Sequence, residues 1–449
     1  MNAAGVRGKM NNAFDPSRAS GLSGATRSMV ERRAAVLAPT YRLFYEEPLE
    51  VVRGSGTHLY DRDGVEYLDA YNNVVSVGHA HPRVVAAVHE QMKALCTHTR
   101  YLQDGILDYA EDLLGTFSGP LGAEGRAVFT CTGSEANDLA LRVAKHVTGR
   151  RGVIVTAEAY HGNSDLVSGI SPSLGEYSPL GTWTRQVRAP DSYRLSADEI
   201  REGFVADVRH QIADLERHGD GVAALIVDPI FSSDGIYATP TDFLAPAVEA
   251  VRAAGGIFIA DEVQSGFGRT GAGLWGYSRH GVDPDIVTLG KPMGNGFPVA
   301  GLVGRLPLME TFGRDTRYFN TFGGNGVAIA AAQATLDILR DEGLIERCET
   351  VGRLILVGLH ELATRHEHIG DVRGTGLYIG VEFVSERASR QADAALTAQV
   401  VNGLRNRYVL VSSTGRFANV VKIRPPLAFS ESDATRFLDA LDDVLGAIE

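Results

Sequence analysis

Two residues in this chain are placed where covalent chemistry could be done, Asp261 and Lys291. Each follows a short apolar run: Gly256-Ile-Phe-Ile-Ala260 leads into Asp261, and Ile286-Val-Thr-Leu289 leads through Gly290 to Lys291. Runs of this length and branched composition read as buried strands. In open α/β sheets ligands sit beyond the carboxyl ends of the strands, so an acid and a lysine delivered there belong to a site. A lysine in an apolar, glycine-rich turn loses charge by desolvation and becomes an amine nucleophile. Taken singly, an Asp that opens a loop and a solvated Lys would be unremarkable; the other motifs give the pair its meaning.

A lysine and a carboxylate are what a pyridoxal cofactor requires. The lysine forms a Schiff base with its aldehyde, and the carboxylate keeps the ring nitrogen protonated so that the ring accepts electrons. An anion site for the cofactor phosphate is available at Thr132-Gly133-Ser134-Glu135-Ala136-Asn137, between the run Ala127-Val-Phe-Thr-Cys131 and a helical stretch from Asp138 to Val147 that Gly149 closes. Gly133 and Ser134 would present backbone N–H groups and a hydroxyl at a helix start, or Ser134 would be a plain N-cap. Tyr160, just past the run Gly152-Val-Ile-Val-Thr156, would stack on a flat ring or serve packing.

The elements that must position these residues are short apolar runs alternating with helical segments, which predicts an α/β domain with a mostly parallel sheet. Ala223-Ala-Leu-Ile-Val227, ending in Asp228, and Val299 to Val303 are further strands. Leu49-Glu-Val-Val-Arg53 and Thr57-His-Leu-Tyr60, flanking Gly54-Ser-Gly56, read as a hairpin. Pro82 opens a helix from Val84 to Leu95, and an alanine-rich helix follows from Val327 to Leu339. Gly374 to Phe383 and Asn419 to Arg424 read as strands, and Glu431 to Ile448 as a closing helix. The expected division is an N-terminal arm, residues 1–40, partly disordered or draped on a partner; a small α+β domain from 41–75 with 331–449; and a large domain from 76–330.

With 449 residues, the chain is long enough for more than one core, and its net charge of −12 with scattered Lys and Arg argues against nucleic acid. No apolar stretch approaches the roughly 18 residues of a membrane span, and the N-terminus lacks a signal-peptide core. Cys96, Cys131 and Cys348 show no paired spacing, which fits reduced thiols in the cytoplasm. His79 and His81 lack a nearby third ligand, so no metal site is expected. No Walker loop or nucleophile elbow occurs.

In this order the motifs resemble the class III (omega) aminotransferases, pyridoxal 5'-phosphate enzymes of fold type I, over nearly all of the chain after about residue 40. The resemblance implies that Lys291 binds the cofactor and shuttles the proton, that Asp261 pairs with the pyridine nitrogen, and that Asp228 lies close to Lys291. It implies further that Gly133 and Ser134 hold the phosphate, Tyr160 stacks on the ring, and Gln264 lies near the ring hydroxyl. Thr321, in Tyr318-Phe-Asn-Thr-Phe-Gly-Gly-Asn325, would reach the neighbouring subunit's cofactor phosphate, which makes the active unit a homodimer.

Within the family, Asn72-Asn-Val-Val-Ser-Val-Gly-His-Ala-His-Pro82, Thr97-His-Thr-Arg-Tyr-Leu-Gln-Asp104, Gly290-Lys-Pro-Met-Gly-Asn-Gly296 and Val421-Lys-Ile-Arg-Pro-Pro-Leu427 are similar to the ethanolamine-phosphate and phosphohydroxylysine phospho-lyases. There are two departures from the family pattern. Asp228-Pro-Ile-Phe-Ser-Ser-Asp-Gly235 lacks the glutamate that in some aminotransferases clamps the substrate-binding arginine, here Arg424, and Gly326 stands where the branch usually has proline. The expected substrate is a small phosphorylated amine, most readily phosphoethanolamine, or else an omega-amino acid or amine in transamination with a keto-acid acceptor. Arg424 and Arg100 are candidate anion binders, with Asn73 lining the substrate side. A pyridoxal-phosphate sensor fused to a DNA-binding domain would need such a domain ahead of residue 40, where the sequence offers a short Gly/Ser/Ala-rich arm.

Overall fold

The structure, a computed structural model, describes residues 12–448. Fifteen strands in three sheets are found among the described residues. Near the N-terminus come β1 (Arg53–Ser55), β2 (His58–Tyr60) and β3 (Glu66–Asp69). The central sheet comprises β4 (Gly125–Thr130), β5 (Gly152–Thr156), β6 (Thr184–Val187), β7 (Val222–Val227), β8 (Ile257–Asp261), β9 (Ile286–Leu289) and β10 (Ala300–Arg305), in spatial order β4-β10-β9-β8-β7-β5-β6. The C-terminal part supplies β11 (Ile369–Thr375), β12 (Tyr378–Phe383), β13 (Val409–Leu410), β14 (Ser412–Thr414) and β15 (Val420–Ile423).

The central strands are apolar along their whole length because helices cover both faces of the sheet, so β5, β7, β8 and β9 are buried at every position. Strands β9, β8, β7, β5 and β6 run parallel to one another. Strand β10 is antiparallel to both its neighbours, β9 and β4. Two reversals restore the direction, so the carboxyl end of β4 lies on the same edge as those of β5, β7, β8 and β9. That edge therefore collects Gly133, Tyr160, Asp228, Asp261 and Lys291, each of which follows or ends one of these strands.

Several boundaries differ from the sequence reading. The hairpin strand is Arg53–Ser55, not the run from Leu49, and Gly54 lies inside it. Glycine is needed there for close packing, since a Cβ on Gly54 would lie 2.8 Å from His79 Cβ. The turn is made by left-handed Gly56 with Thr57. The helix after β4 begins at Gly133, not Asp138, and its N-cap is Thr132, not Ser134. Thr132 and Glu135 form a reciprocal capping box, with Glu135 N–H donating to Thr132 Oγ1 at 3.2 Å and Thr132 N–H to Glu135 Oε2 at 3.1 Å. Gly374 to Phe383 is a hairpin of two strands rather than one. Of the N-terminal arm, residues 1–11 lie outside the described residues, and Gly24–Val36 forms a helix with no buried side chain.

The smaller sheets are ordered β1-β2-β3-β13 and β11-β12-β15-β14. Parallel pairing of Leu68 with Val409 and Asp69 with Leu410 joins the N-terminal strands to the C-terminal part. A buried ionic cluster fastens β11 and β12 to the loop after β7. Arg373 pairs with Glu382 at 2.8 Å and donates to the carbonyls of Gly235 (2.8 Å) and Ile236 (3.1 Å), while Arg194 reaches Glu382 at 2.5 Å. Removing the acid would leave buried Arg373 with Asp371 at 2.7 Å and Arg194 with Asp191 at 3.0 Å as their remaining carboxylates. Losing its charge-assisted hydrogen bonds, Glu382→Leu is expected to destabilise the fold by about 2 kcal/mol, read as an earlier urea unfolding transition. An unshifted transition would show that the cluster does not hold the loop.

Candidate active site

Lys291 stands two residues beyond the end of β9, partly buried at the strand edge. Burial first, then the nearby charge of Arg424, pushes its amine down to about 8, against the opposing pull of Asp261 and Asp228. A neutral amine is therefore accessible near neutral pH, as a carbonyl-capturing lysine requires.

Asp261 is held by three N–H donors. His161 Nδ1 and Asn137 Nδ2 donate to Oδ2 at 2.7 and 2.9 Å, and Val263 N–H donates to Oδ1 at 3.0 Å. Asn137 is itself fixed, accepting from Thr288 Oγ1 at 2.6 Å and donating to His161 O at 2.7 Å. The carboxylate thus connects β8 to the helix after β4, the loop after β5 and, through Thr288, β9. Neither Asn137 nor His161 was a sequence candidate. The signals were there: Asn137 lies one turn along the helix from Gly133, and His161 adjoins Tyr160.

Asp261 and Lys291 share one cavity with Gly133, Ser134, Tyr160, His161, Gly162, Asp228, Val263 and Gln264. Its walls are cut close. A Cβ on Gly162, whose φ is +144°, would lie 2.4 Å from Ser134 Oγ, and one on Gly133 would lie 2.9 Å from Val263 Cγ1. Ser134 Oγ is fixed by donating to Asn163 Oδ1 at 3.1 Å and accepting from Asn163 N–H at 3.2 Å. The first turn of the helix Gly133–Thr148 opens here, where N–H groups have no intrahelical acceptor. Among the described residues, buried Nε2 of His161, which lines the cavity, is without a hydrogen-bond partner. An amine, a fixed carboxylate, a half-buried aromatic and a bare anion cradle fit a flat, phosphorylated, aldehyde-bearing ring.

Beside this cavity, Gln264 Oε1 accepts from Arg424 Nη1 at 2.6 Å, Tyr378 Oη at 3.0 Å and Asn73 Nδ2 at 3.4 Å. Its amide donates to Ser232 Oγ at 2.6 Å. Gln264 therefore faces the arginine as well as the cavity. The Arg424 guanidinium lies 4.4 Å over the Tyr71 ring, and among the described residues its buried Nε has no hydrogen-bond partner. Among the described residues no carboxylate pairs with it. The oxygens of Asp228 are taken by Ser232 and Ile230 of its own loop, and burial raises its carboxyl. The loop that lacks the clamping glutamate has its Gly235 and Ile236 carbonyls bound by Arg373.

Thr321 and Arg100 do not join this group within the chain. Thr321 is exposed, and the Arg100 guanidinium lies 3.8 Å over the Phe319 ring. His79 and His81 separate onto different acids, Asp69 at 2.7 Å and Glu342 at 3.1 Å.

The family model for class III aminotransferases matches residues 44–445. The chain belongs to that family. Class III enzymes are dependent on pyridoxal 5'-phosphate and share fold type I, the α/β architecture described above. A relative from Caenorhabditis elegans, ethanolamine-phosphate phospho-lyase homolog 1, is 36% identical, covering 93% of both chains. Alanine–glyoxylate aminotransferase 2-like from Drosophila melanogaster is 38% identical over 91% of this chain and 84% of its own. A phospholyase from Arthrobacter, solved in complex with phosphoethanolamine, superposes with a TM-score of 0.90 at 42% identity, covering 94% of this chain and all of that one.

Only the neutral amine of Lys291 can capture the cofactor aldehyde. The rate of pyridoxal phosphate uptake by the apoprotein, followed by visible absorbance, should therefore rise with pH through about 8. Lys291→Ala should show no such absorbance. A rise centred near the ordinary 10.5 of lysine would remove the desolvated site from the account.

Proposed function

We propose that this class III enzyme is a phospho-lyase, converting a small phosphorylated amine and water to an aldehyde, ammonia and inorganic phosphate. O-phosphoethanolamine is the substrate we put first. The observation that carries the reading is Arg424: a buried guanidinium beside Lys291, held by neutral groups alone and free to meet an anion with its full charge. A transaminase must accept two substrates in turn, and an arginine with an acidic clamp suits that alternation. An arginine with none suits one permanently anionic substrate.

Bound pyridoxal phosphate supplies a sink for the electron pair released at the carbon bearing nitrogen. The rest falls to the chain. Lys291 takes the proton from that carbon and holds it. Asp261, immobilised by Asn137, His161 and Val263, would pair with the ring nitrogen, while Gly133 and Ser134 would hold the cofactor phosphate and Tyr160 would stack on the ring. Arg424 holds the substrate phosphate, and Asn73 with Gln264 lines that side. The carbon–oxygen bond breaks with both electrons leaving on the phosphate oxygen. Water then hydrolyses the released enamine to the aldehyde and ammonia.

We place Thr321 and Arg100 at the interface of a cytoplasmic homodimer, with Thr321 reaching the partner's cofactor phosphate. Around them Tyr101, Leu102, Phe319 and Phe322 leave apolar surface uncovered, Leu102 being 98% exposed. The three free thiols fit a reducing compartment. Sedimentation should give a dimer, and Leu102→Asp should yield monomers that release the cofactor more readily. A wild-type monomer that retains the cofactor would overturn this placement.

The likeness to the Drosophila aminotransferase-like protein keeps transamination as a second reading. One incubation separates the two. With phosphoethanolamine and no keto acid, continuous phosphate release with an unchanged visible cofactor spectrum establishes the lyase. No phosphate, together with bleaching of the cofactor by another amine donor, establishes the aminotransferase.

A further inference from the structure

We propose that Lys422 and Arg424 together form the subsite for the substrate's phosphate, and that Lys422 is the residue that selects a dianionic phosphoryl group over a carboxylate. The proposal rests on the phospho-lyase reading above.

Side chains alternate along β15. Val421 and Ile423, at 1% and 0% exposure, point into the core, which leaves Val420, Lys422 and Arg424 on the opposite face. Val420 packs with Ile230 and Ile236 of the loop that follows Asp228, and Arg424 reaches Gln264 and Tyr71. Lys422 lies between these two contacts. Its cross-strand neighbours are Gly380 on β12, which has no side chain, and Ser412 on β14, whose hydroxyl is spent on Asn12 at 3.1 Å. Among the described residues its amine has neither a hydrogen bond nor an ion pair. The charges it faces are Arg424, Lys291 and Asp228.

A structural lysine would be solvated or paired with an acid. Lys422 is only partly exposed and unpaired, and two of the three charges around it are positive. The acids nearby are committed, Asp261 to three N–H donors and Asp228 to its own loop. Burial, then Arg424 and Lys291, push the Lys422 amine well down, and a bound anion would favour its charged form. Arg424 alone can engage a carboxylate through two parallel N–H groups. A second cation adds little there. A phosphate monoester carries about −1.5 to −2 near neutral pH and offers three acceptor oxygens, so it can engage both residues. Charge grows on the phosphate as its carbon–oxygen bond breaks, and the Lys422 N–H groups donate to the departing group.

The test uses two ligands with the same aminoethyl skeleton, 2-aminoethylphosphonate and β-alanine, titrated calorimetrically into the holoenzyme. The wild type should prefer the phosphonate. Lys422→Met removes no existing partner and keeps the side-chain length. It should weaken phosphonate binding by about 10- to 100-fold, leave β-alanine within about twofold, and raise KM for phosphoethanolamine more than it lowers kcat. Lys422→Arg should restore most of the preference. If the wild type does not prefer the phosphonate, the phospho-lyase reading fails. If it does and Lys422→Met keeps that preference, the assignment of Lys422 alone fails.

Discussion

The structure turns on one immobilised carboxylate. Asp261 closes β8, and its oxygens are fixed by Asn137, His161 and the Val263 N–H. These donors come from the helix after β4, the loop after β5 and the chain just past β8. A charge buried to this degree persists only where its donors are already in place. The same contacts that satisfy Asp261 also set the distance between the anion cradle at Gly133, the aromatic Tyr160 and the nucleophile Lys291. Assembly of the cofactor cavity and satisfaction of a buried charge are here a single physical requirement.

Sheet topology makes that requirement achievable. Strands β5, β7, β8 and β9 are parallel, and β10 reverses against both β9 and β4. Side chains that lie far apart in sequence therefore meet at one edge without any long excursion of the chain. The smaller sheets supply the remaining contacts. Arg373 and Glu382 fasten the loop after Asp228, while β15 carries Arg424 to Gln264. The cofactor side is thus built by the central sheet and the anion side by the C-terminal strands.

How much of this is legible in the sequence follows from the range of each interaction. Asp261 and Lys291 are readable because each ends an apolar run, and runs of that kind are local signals. Asn137 and His161 are not readable as Asp261's partners, because the hydrogen bonds that define them cross 124 and 100 residues. The strand at Leu49 fails because glycine is ordinarily a turn residue, whereas Gly54 is required inside the strand by contact with His79. The cap is misplaced from Thr132 to Ser134 because both hydroxyls suit the role. The reciprocal bond to Glu135, which needs three residues of spacing, decides for Thr132. Thr321 and Arg100 are named by motif alone, and no contact within one chain brings them to Lys291.

The balance of charge beyond the cofactor cavity distinguishes the fates open to one released electron pair. Lys291 and Asp261 serve either a transaminase or a lyase, since both begin by removing a proton from the carbon that bears nitrogen. What differs is the neighbouring carbon and what it carries. Around that region Arg424 is buried with neutral partners, and the acids within reach are already engaged. Water cannot enter freely to solvate such a guanidinium, so its attraction for an anion is stronger than it would be at the surface. A substrate whose anion is also its leaving group meets that field twice, once on binding and again as charge builds on the departing oxygen. A substrate whose anion stays attached meets it once. A fixed, unclamped cation therefore favours elimination more than exchange, on the same fold and with the same lysine.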